Sequence, residues 1–553
     1  MTPIRLLVAT AILFAITTTS WAQQQPSPGA VQRSIDRAVT PSVRPDEPPP
    51  ETEQTERPKR APVPEGGPRF LVKQFNFRGN ALYTGDELRA RVADRQGQKL
   101  TLAEIYTVAD ELTDFYHAEG HSLAVVTVPA QQVQDGQVLL EVVEGRLGSI
   151  LLRGNESYTD EFLMERLSAI KTGEVIQFGL LESELLKLND LPGLTARSVI
   201  QPGAEFGTSD LLLNMAEKRY DARIALDNFG REALGEFRLS ASGSINNLSG
   251  RGDQLFAGLT HTESGLLTSG SLGYSAPAGE RGGRLSGFVS RADYAVAGLL
   301  VDGISDTFNV DYSEPLIRSR NRNLAWNFGL THFRPKQTGA AATPIDADLT
   351  VFDGGLTYQA IYPGNLSTTA AARVQTNFSR ATRRPDTTLD GGQALRLELQ
   401  ATAEKPIMPG WSLYGRGLWV YSPDELNDMT KYSMGGPSSV RSYLVTEVSG
   451  DSGLEGSIEL RRFFLARKGL PGVARVFVDA ATARCRVGSC LAETELGFKD
   501  KSSTSRTGWG LGLTLYPADR YTIEAQWAQH LDGYVSPDGD EDGRFWIFLS
   551  ADI

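Results

Sequence analysis

Beyond its first 22 residues the sequence has no apolar run approaching the roughly 20 residues that a membrane-spanning helix requires, and its mean hydropathy is -0.24. Helical membrane insertion is therefore excluded. Positive charge is also in short supply: 55 Lys+Arg face 67 Asp+Glu, a net charge of -12, which argues against a nucleic-acid partner that needs a basic face. Histidines number five and cysteines two. His117 and His121 stand at helical spacing, but Gly120 lies between them and no Glu follows His117, so the metalloprotease pattern fails. Cys485 and Cys490 flank four residues. Zinc would find no histidine nearby and half its coordination sphere empty, whereas an oxidising compartment would let the two thiols close a small hairpin loop. The disulfide is the favoured reading. No catalytic, metal or cofactor constellation is expected.

What the sequence does contain starts with a secretory signal over residues 1–22, built from Arg5, the apolar stretch Leu6 to Ile16 and the small-x-small site Ser20-Trp21-Ala22. A retained anchor is the weaker alternative, since a Gln- and Pro-rich segment follows instead of a stop-transfer pattern. Residues 23–69 carry Pro41, Pro45, Pro48, Pro49, Pro50, Pro58, Pro62, Pro64 and Pro68 among charges. That composition buries no core and forms a tether. Within it, Val31, Ile35 and Val39 fall at helical spacing, so a short amphipathic helix is a candidate there.

From Phe70 the texture changes. Phe70 to Phe77 alternates, Asp86 to Val92 and Leu102 to Glu119 read as helices, and Ser122 to Val128 and Gln137 to Val143 read as strands; Gly120 supplies the stop for the longer helix. Phe77-Arg78-Gly79-Asn80 is answered about 75 residues later by Leu152-Arg153-Gly154-Asn155, each followed by an acidic helix start. Two related β-α-α-β-β modules, 70–146 and 147–218, are the economical reading.

After Tyr220 helical periods disappear and about sixteen alternating segments follow, separated by turn residues. An even number suits a single-chain bacterial barrel. In the final run Phe545, Ile547, Leu549, Ala551 and Ile553 share one face, as lipid contact demands, while Arg396, Glu398 and Gln400 alternate with Leu395, Leu397 and Leu399, as a wet lumen permits. A soluble sandwich or propeller would pack both sides of its sheets with apolar residues. The expected fold is thus a membrane β-barrel of about 16 antiparallel strands over 219–553, preceded by two small α+β domains.

Two short motifs carry little. Arg251-Gly252-Asp253 spells an integrin-binding tripeptide but sits in a Gly- and Asn-rich turn, and Gly508-Trp509-Gly510-Leu511-Gly512 lacks the following helix that phosphate binding requires. More informative is Met434-Gly435-Gly436-Pro437-Ser438-Ser439-Val440-Arg441-Ser442-Tyr443, followed downstream by Phe477-Val478-Asp479-Ala480-Ala481. These stretches resemble the long-loop signature (Gly-Gly and Val-Arg-Gly-Tyr/Phe) and the strand signature (Phe-x-Asp-x-Gly) of the two-partner secretion outer-membrane transporters, the TpsB proteins of the haemolysin-activator type. Ser442 and Ala481 stand where the family has glycines, and Ile553 where many barrels end in an aromatic.

The resemblance implies that the modules are POTRA domains, that the tether carries a pore-plugging helix, and that the loop folds back into the barrel with Arg441 paired to Asp479. Gly435, Gly436, Val440 and Tyr443 would shape the loop and Phe477 the strand beneath it. It further implies export of an unfolded, β-helical secreted partner, held in the periplasm by β-augmentation at an exposed strand edge. Leu123, Val125, Val126 and Val128 are the candidate edge. Outer-membrane lipid and the barrel-assembly machinery are the other expected partners. The rival within the superfamily is an insertase that folds other barrels; such proteins usually carry more than two modules.

Overall fold

The structure, a computed structural model, describes residues 31–32, 53–54, 67–296, 300–339, 345–381, 393–466, 470–486, 502–532 and 543–553. The signal peptide, most of the tether and its candidate helix, and Cys490 lie outside these residues. Among the described residues no helix is long and apolar enough to cross a membrane.

In the first module the strands Gln74–Arg78, Gln137–Val143 and Val125–Thr127 form one sheet, backed by the helices Gly85–Arg91 and Leu102–Ala118. Both helices begin with reciprocal caps: Thr84 and Thr101 accept from the backbones of Glu87 and Glu104, whose carboxylates accept from the cap N–H in return. Ile105, Val108, Ala109, Leu112 and Tyr116 fall on one face, each three or four residues from another of the set, and form the buried stripe of the longer helix. The second module repeats the plan with strands Arg146–Arg153, Leu194–Pro202 and Thr208–Glu217 and helices Asp160–Arg166 and Phe178–Asn189. Tether residues Glu53–Gln54 pair in parallel with Val199 and Ile200 on its edge.

The repeat runs deeper than the Arg-Gly-Asn echo. Gly79 and Gly154 both adopt positive φ, and a Cβ on either would strike the carbonyl of Val142 or Met215 respectively. Asn80 and Asn155 donate to the carbonyls of Tyr83 and Tyr158. Glu144 then accepts the N–H groups of Ala81 and Leu82, as Glu217 accepts those of Glu156, Ser157 and Tyr158. A carboxylate, buried at Glu144 and half-buried at Glu217, that accepts the orphan donors of the turn is thus the shared device.

One strand is shorter than its sequence suggests. Ser122 to Val128 alternates, yet only Val125–Thr127 pairs, because Ala124 N–H turns back to His121 O at 2.9 Å and Pro129 cannot donate to a ladder.

Sixteen strands close the barrel, from Tyr220–Asp227 through Arg544–Asp552, each antiparallel to its chain neighbour and the last paired to the first. Closure pairs the backbone within lipid and leaves no edge. Leu395, Leu399, Ile458, Val478, Leu511 and Phe545 face outward and exposed, whereas Arg396 and Glu398 pair in the lumen at 2.6 Å. The wall is uneven. The sixth, seventh and eighth strands have 18 residues each, and the first has 8. Toward the extracellular ends of the long strands the outer face turns charged, with Arg334 on Asp348 at 2.9 Å and Arg291 near Asp306.

The second module meets the barrel at its periplasmic turns. Arg318 grips Asp190 with two hydrogen bonds of 2.8 and 2.7 Å, and Arg320 reaches Glu182 at 2.5 Å. The Arg251-Gly252-Asp253 turn belongs to this junction. Buried Asp253 accepts from Ser249 N–H, Ser249 Oγ and Tyr274 Oη, each at 2.8 Å. A side chain at Gly252 would crowd Leu191 and Pro277. The tripeptide is a docking turn whose carboxylate is committed internally.

Candidate functional site

Between the eleventh strand, Trp411–Tyr421, and the twelfth, Ser452–Ala466, the chain descends into the lumen instead of crossing outside. Tyr432–Met434 pairs with Val448–Gly450 as a small ribbon, and the tip lies between them. Gly435 and Gly436 have φ of 102° and 95°, and a Cβ at Gly435 would collide with the carbonyl of Leu444. Only glycine fits that bend. Gly436 N–H then bonds Tyr443 O at 2.9 Å, closing the tip. Val440 and Tyr443 are fully buried against Val420, Tyr432, Met434 and Ala481.

The bend aims Arg441 at the wall, where its exposure falls to 3%. Nε and Nη2 take the two oxygens of Asp479 at 2.8 and 2.7 Å, Nη1 reaches Glu459 Oε1 at 2.7 Å and Gln526 Oε1 at 3.3 Å, and Nη2 also donates to Ser457 Oγ at 2.8 Å. All five guanidinium N–H groups are thereby used. The Arg441 backbone N–H adds a bond to Asp479, at 3.1 Å. Beneath, the Phe477 ring lies 3.3 Å from the guanidinium carbon, an attractive stack once water is excluded. The fork fixes position as well as charge, which a lysine would not do.

Further contacts hold the tip on both sides. Glu455 accepts from Ser439 Oγ at 2.6 Å and pairs with Arg416 at 2.9 Å. Glu447 pairs with Arg506 at 3.3 Å, both nearly buried, and Tyr443 Oη donates to Asp532 at 2.6 Å. The Gly-x-Gly-x-Gly run turns out to be steric relief. A Cβ at Gly508 would overlap Ser442 Oγ, and one at Gly510 would enter the Phe477 ring. Ser442 therefore fits despite replacing the expected glycine.

Arg441, Asp479, Phe477, Gly435, Gly436, Val440 and Tyr443 are thus gathered at one place. The candidate edge in the first module is a different case: its strand Val125–Thr127 does lie at the end of the three-stranded sheet, but much of it is covered. Leu123 and Val126 are buried, Leu123 within the apolar cluster of the second module, and Val128 packs against the first module's core. Val126 N–H is taken by Thr113 Oγ1 at 2.9 Å. Val125 and Val128 keep half-exposed side chains, and the long helix covers the rest of this edge through Thr113. Cys485 is disulfide-bonded; Cys490, the sequence's only other cysteine, lies outside the described residues. His117 Nε2 contacts Ala124 O at 2.9 Å, and His121 packs against Tyr83 and Tyr116. Among the described residues no group of His, Cys, Asp and Glu could hold a metal.

Sequence reading missed Glu459, Ser457, Gln526 and Trp546. Glu455, Ser457 and Glu459 alternate along one strand and so face the lumen together, a signal available in principle; Gln526 and Trp546 come from distant strands.

The family model described as haemolysin secretion/activation protein ShlB/FhaC/HecB matches residues 207–479, and that for the ShlB-type POTRA domain matches 70–145. The heme/hemopexin transporter protein HuxB of Haemophilus influenzae is 23% identical over 87% of each chain, and the outer membrane transporter CdiB of Dickeya dadantii 22% identical over 85% of each. Among solved structures, CdiB from Escherichia coli superposes with a TM-score of 0.68 at 19% identity, covering 100% of this chain and 99% of its own. BamA from Haemophilus ducreyi, lacking its first three POTRA domains, gives 0.54 at 14% identity, over 88% of this chain and 100% of its own. Two signature stretches meeting in the lumen, paired periplasmic modules and these matches converge: the chain belongs to the haemolysin secretion/activation family, the outer-membrane transporters of two-partner secretion.

Proposed function

We propose that this outer-membrane protein exports an unfolded, β-helical partner protein, captured in the periplasm by the POTRA modules and passed through a lumen that the Arg441 loop obstructs at rest. The saturated guanidinium of Arg441 inside the barrel carries this reading, because a loop so fully bonded marks a defined closed state. No nucleotide site is evident among the described residues, so client folding outside is the proposed source of directionality. The transport names of the relatives that match in sequence favour export over the insertase reading, which rests on likeness of fold to BamA.

Client capture by strand addition beside Val125 remains a proposal with a stated cost: the incoming strand must displace the Thr113 hydroxyl from Val126 N–H. Outer-membrane lipid and the assembly machinery complete the proposed partners. The test is secretion of a large β-helical protein encoded beside this chain, followed in the medium. We expect loss when the chain is deleted and strong impairment by Arg441→Ala with the barrel still inserted; undiminished secretion by that variant would refute the assigned role.

A further inference from the structure

We propose that Trp546 is a positioning residue that ties the Arg441 loop to the barrel's closing seam, so that release of the loop loosens the pairing of the last strand with the first. The guanidinium holds the twelfth, thirteenth and fifteenth strands, but the Arg441 carbonyl points elsewhere. It accepts the indole N–H of Trp546 at 2.7 Å, on the sixteenth strand, and the indole is buried. The loop tip therefore has a second anchor on the closing strand itself.

From the indole the contacts run on to the first strand. Trp546 meets Phe229 edge-on at 6.0 Å, and Phe229 stacks on Phe548 at 6.1 Å with 14° between planes. Phe229 lies two residues past the end of the first strand, and its ring faces the Arg238 guanidinium at 5.8 Å. Arg238 is locked to Asp227 at 2.8 Å in full burial, and Asp227 also accepts Phe229 N–H. Between them Asn228 bridges the seam by side chain, donating to Phe545 O and accepting from Ile547 N–H, both at 2.8 Å.

The seam depends on such help. The whole first strand, Tyr220 to Asp227, pairs with the second, but only Arg223 to Asp227 pair with the sixteenth. The Arg223–Asp552 ion pair at 2.6 Å closes the periplasmic end. With so short a ladder, one aromatic anchor at the extracellular end is a large share of the hold, and the loop orients that anchor.

The inference deepens the export reading but is read from exchange, not secretion. Hydrogen exchange of the full chain in detergent micelles would be compared for wild type, Trp546→Phe, Arg441→Ala and the double variant. Phe keeps the ring against Phe229 and removes the donor. We expect Trp546→Phe and Arg441→Ala each to speed exchange in 220–228 and 544–553 roughly tenfold, with the sixth to eighth strands unchanged and the double variant no faster than Arg441→Ala. Unchanged seam exchange in Trp546→Phe, an additive double variant, or acceleration spread over all strands would each overturn it. A seam unaffected by Arg441→Ala while secretion stops would sink the coupling and leave the export reading standing.

Discussion

At the scale of single residues, the site is a buried charge cluster whose members are worth most when one is removed. Asp479→Ala leaves the Arg441 guanidinium with fewer partners in a dry place, and such a break costs about 3 to 5 kcal/mol. Heat-modifiability on gels should show a lowered unfolding temperature, and Arg441→Lys, which keeps charge without the fork, should recover only part of loop closure. Gly508→Ala tests the steric reading. Its methyl would overlap Ser442 Oγ, so the variant should close poorly, and adding Ser442→Gly should restore most of the loss; failure of that rescue would show that Gly508 acts otherwise. Arg441 and Asp479 were legible because two sequence stretches matched a family pattern. Their physical sufficiency was not, since Glu459, Ser457 and Gln526 lie on strands whose register no local pattern sets.

Among the elements, the long helix of the first module depends on its cap. Thr101→Ala should cost about 1 kcal/mol, read as faster exchange of the amides at 102–106. The Thr101 backbone N–H, donating to the exposed Glu104 carboxylate, holds its pKa below the ordinary value. A lowered carboxylate pKa contributes stability that is present above the unfolded value and lost as pH falls through the folded one. The helix start should therefore fray on acidification below the usual carboxylate range, and Glu104→Gln should remove that pH dependence. Helical periodicity made this element legible, with the predicted end at Glu119 and the observed one at Ala118. The strand after it was overextended, because alternation from Ser122 to Val128 says nothing of the His121 to Ala124 turn. Nor does sequence betray the short turn Glu232–Leu234, which folds inward so that Ala233 and Leu234 pack on Leu267, Tyr294 and Val31.

Over the whole molecule, strand number and module count were readable from alternation and the Arg-Gly-Asn repeat, because both are periodic. The unequal height of the wall was not, since strand ends depend on partners. A first strand of 8 residues, at about 3.3 Å per residue and about 40° of tilt, rises roughly 20 Å, below the approximately 25 Å apolar band of such barrels. Strands of 18 residues rise about 45 Å on the same reckoning. Acyl chains beside the seam must therefore be compressed, while those along the tall side meet a full-height wall topped by charge. In a nanodisc reconstruction the bilayer should be measurably thinner next to the first and sixteenth strands than opposite them, and a sheet of uniform thickness would contradict this. The membrane itself would then be softest where the barrel is most weakly joined.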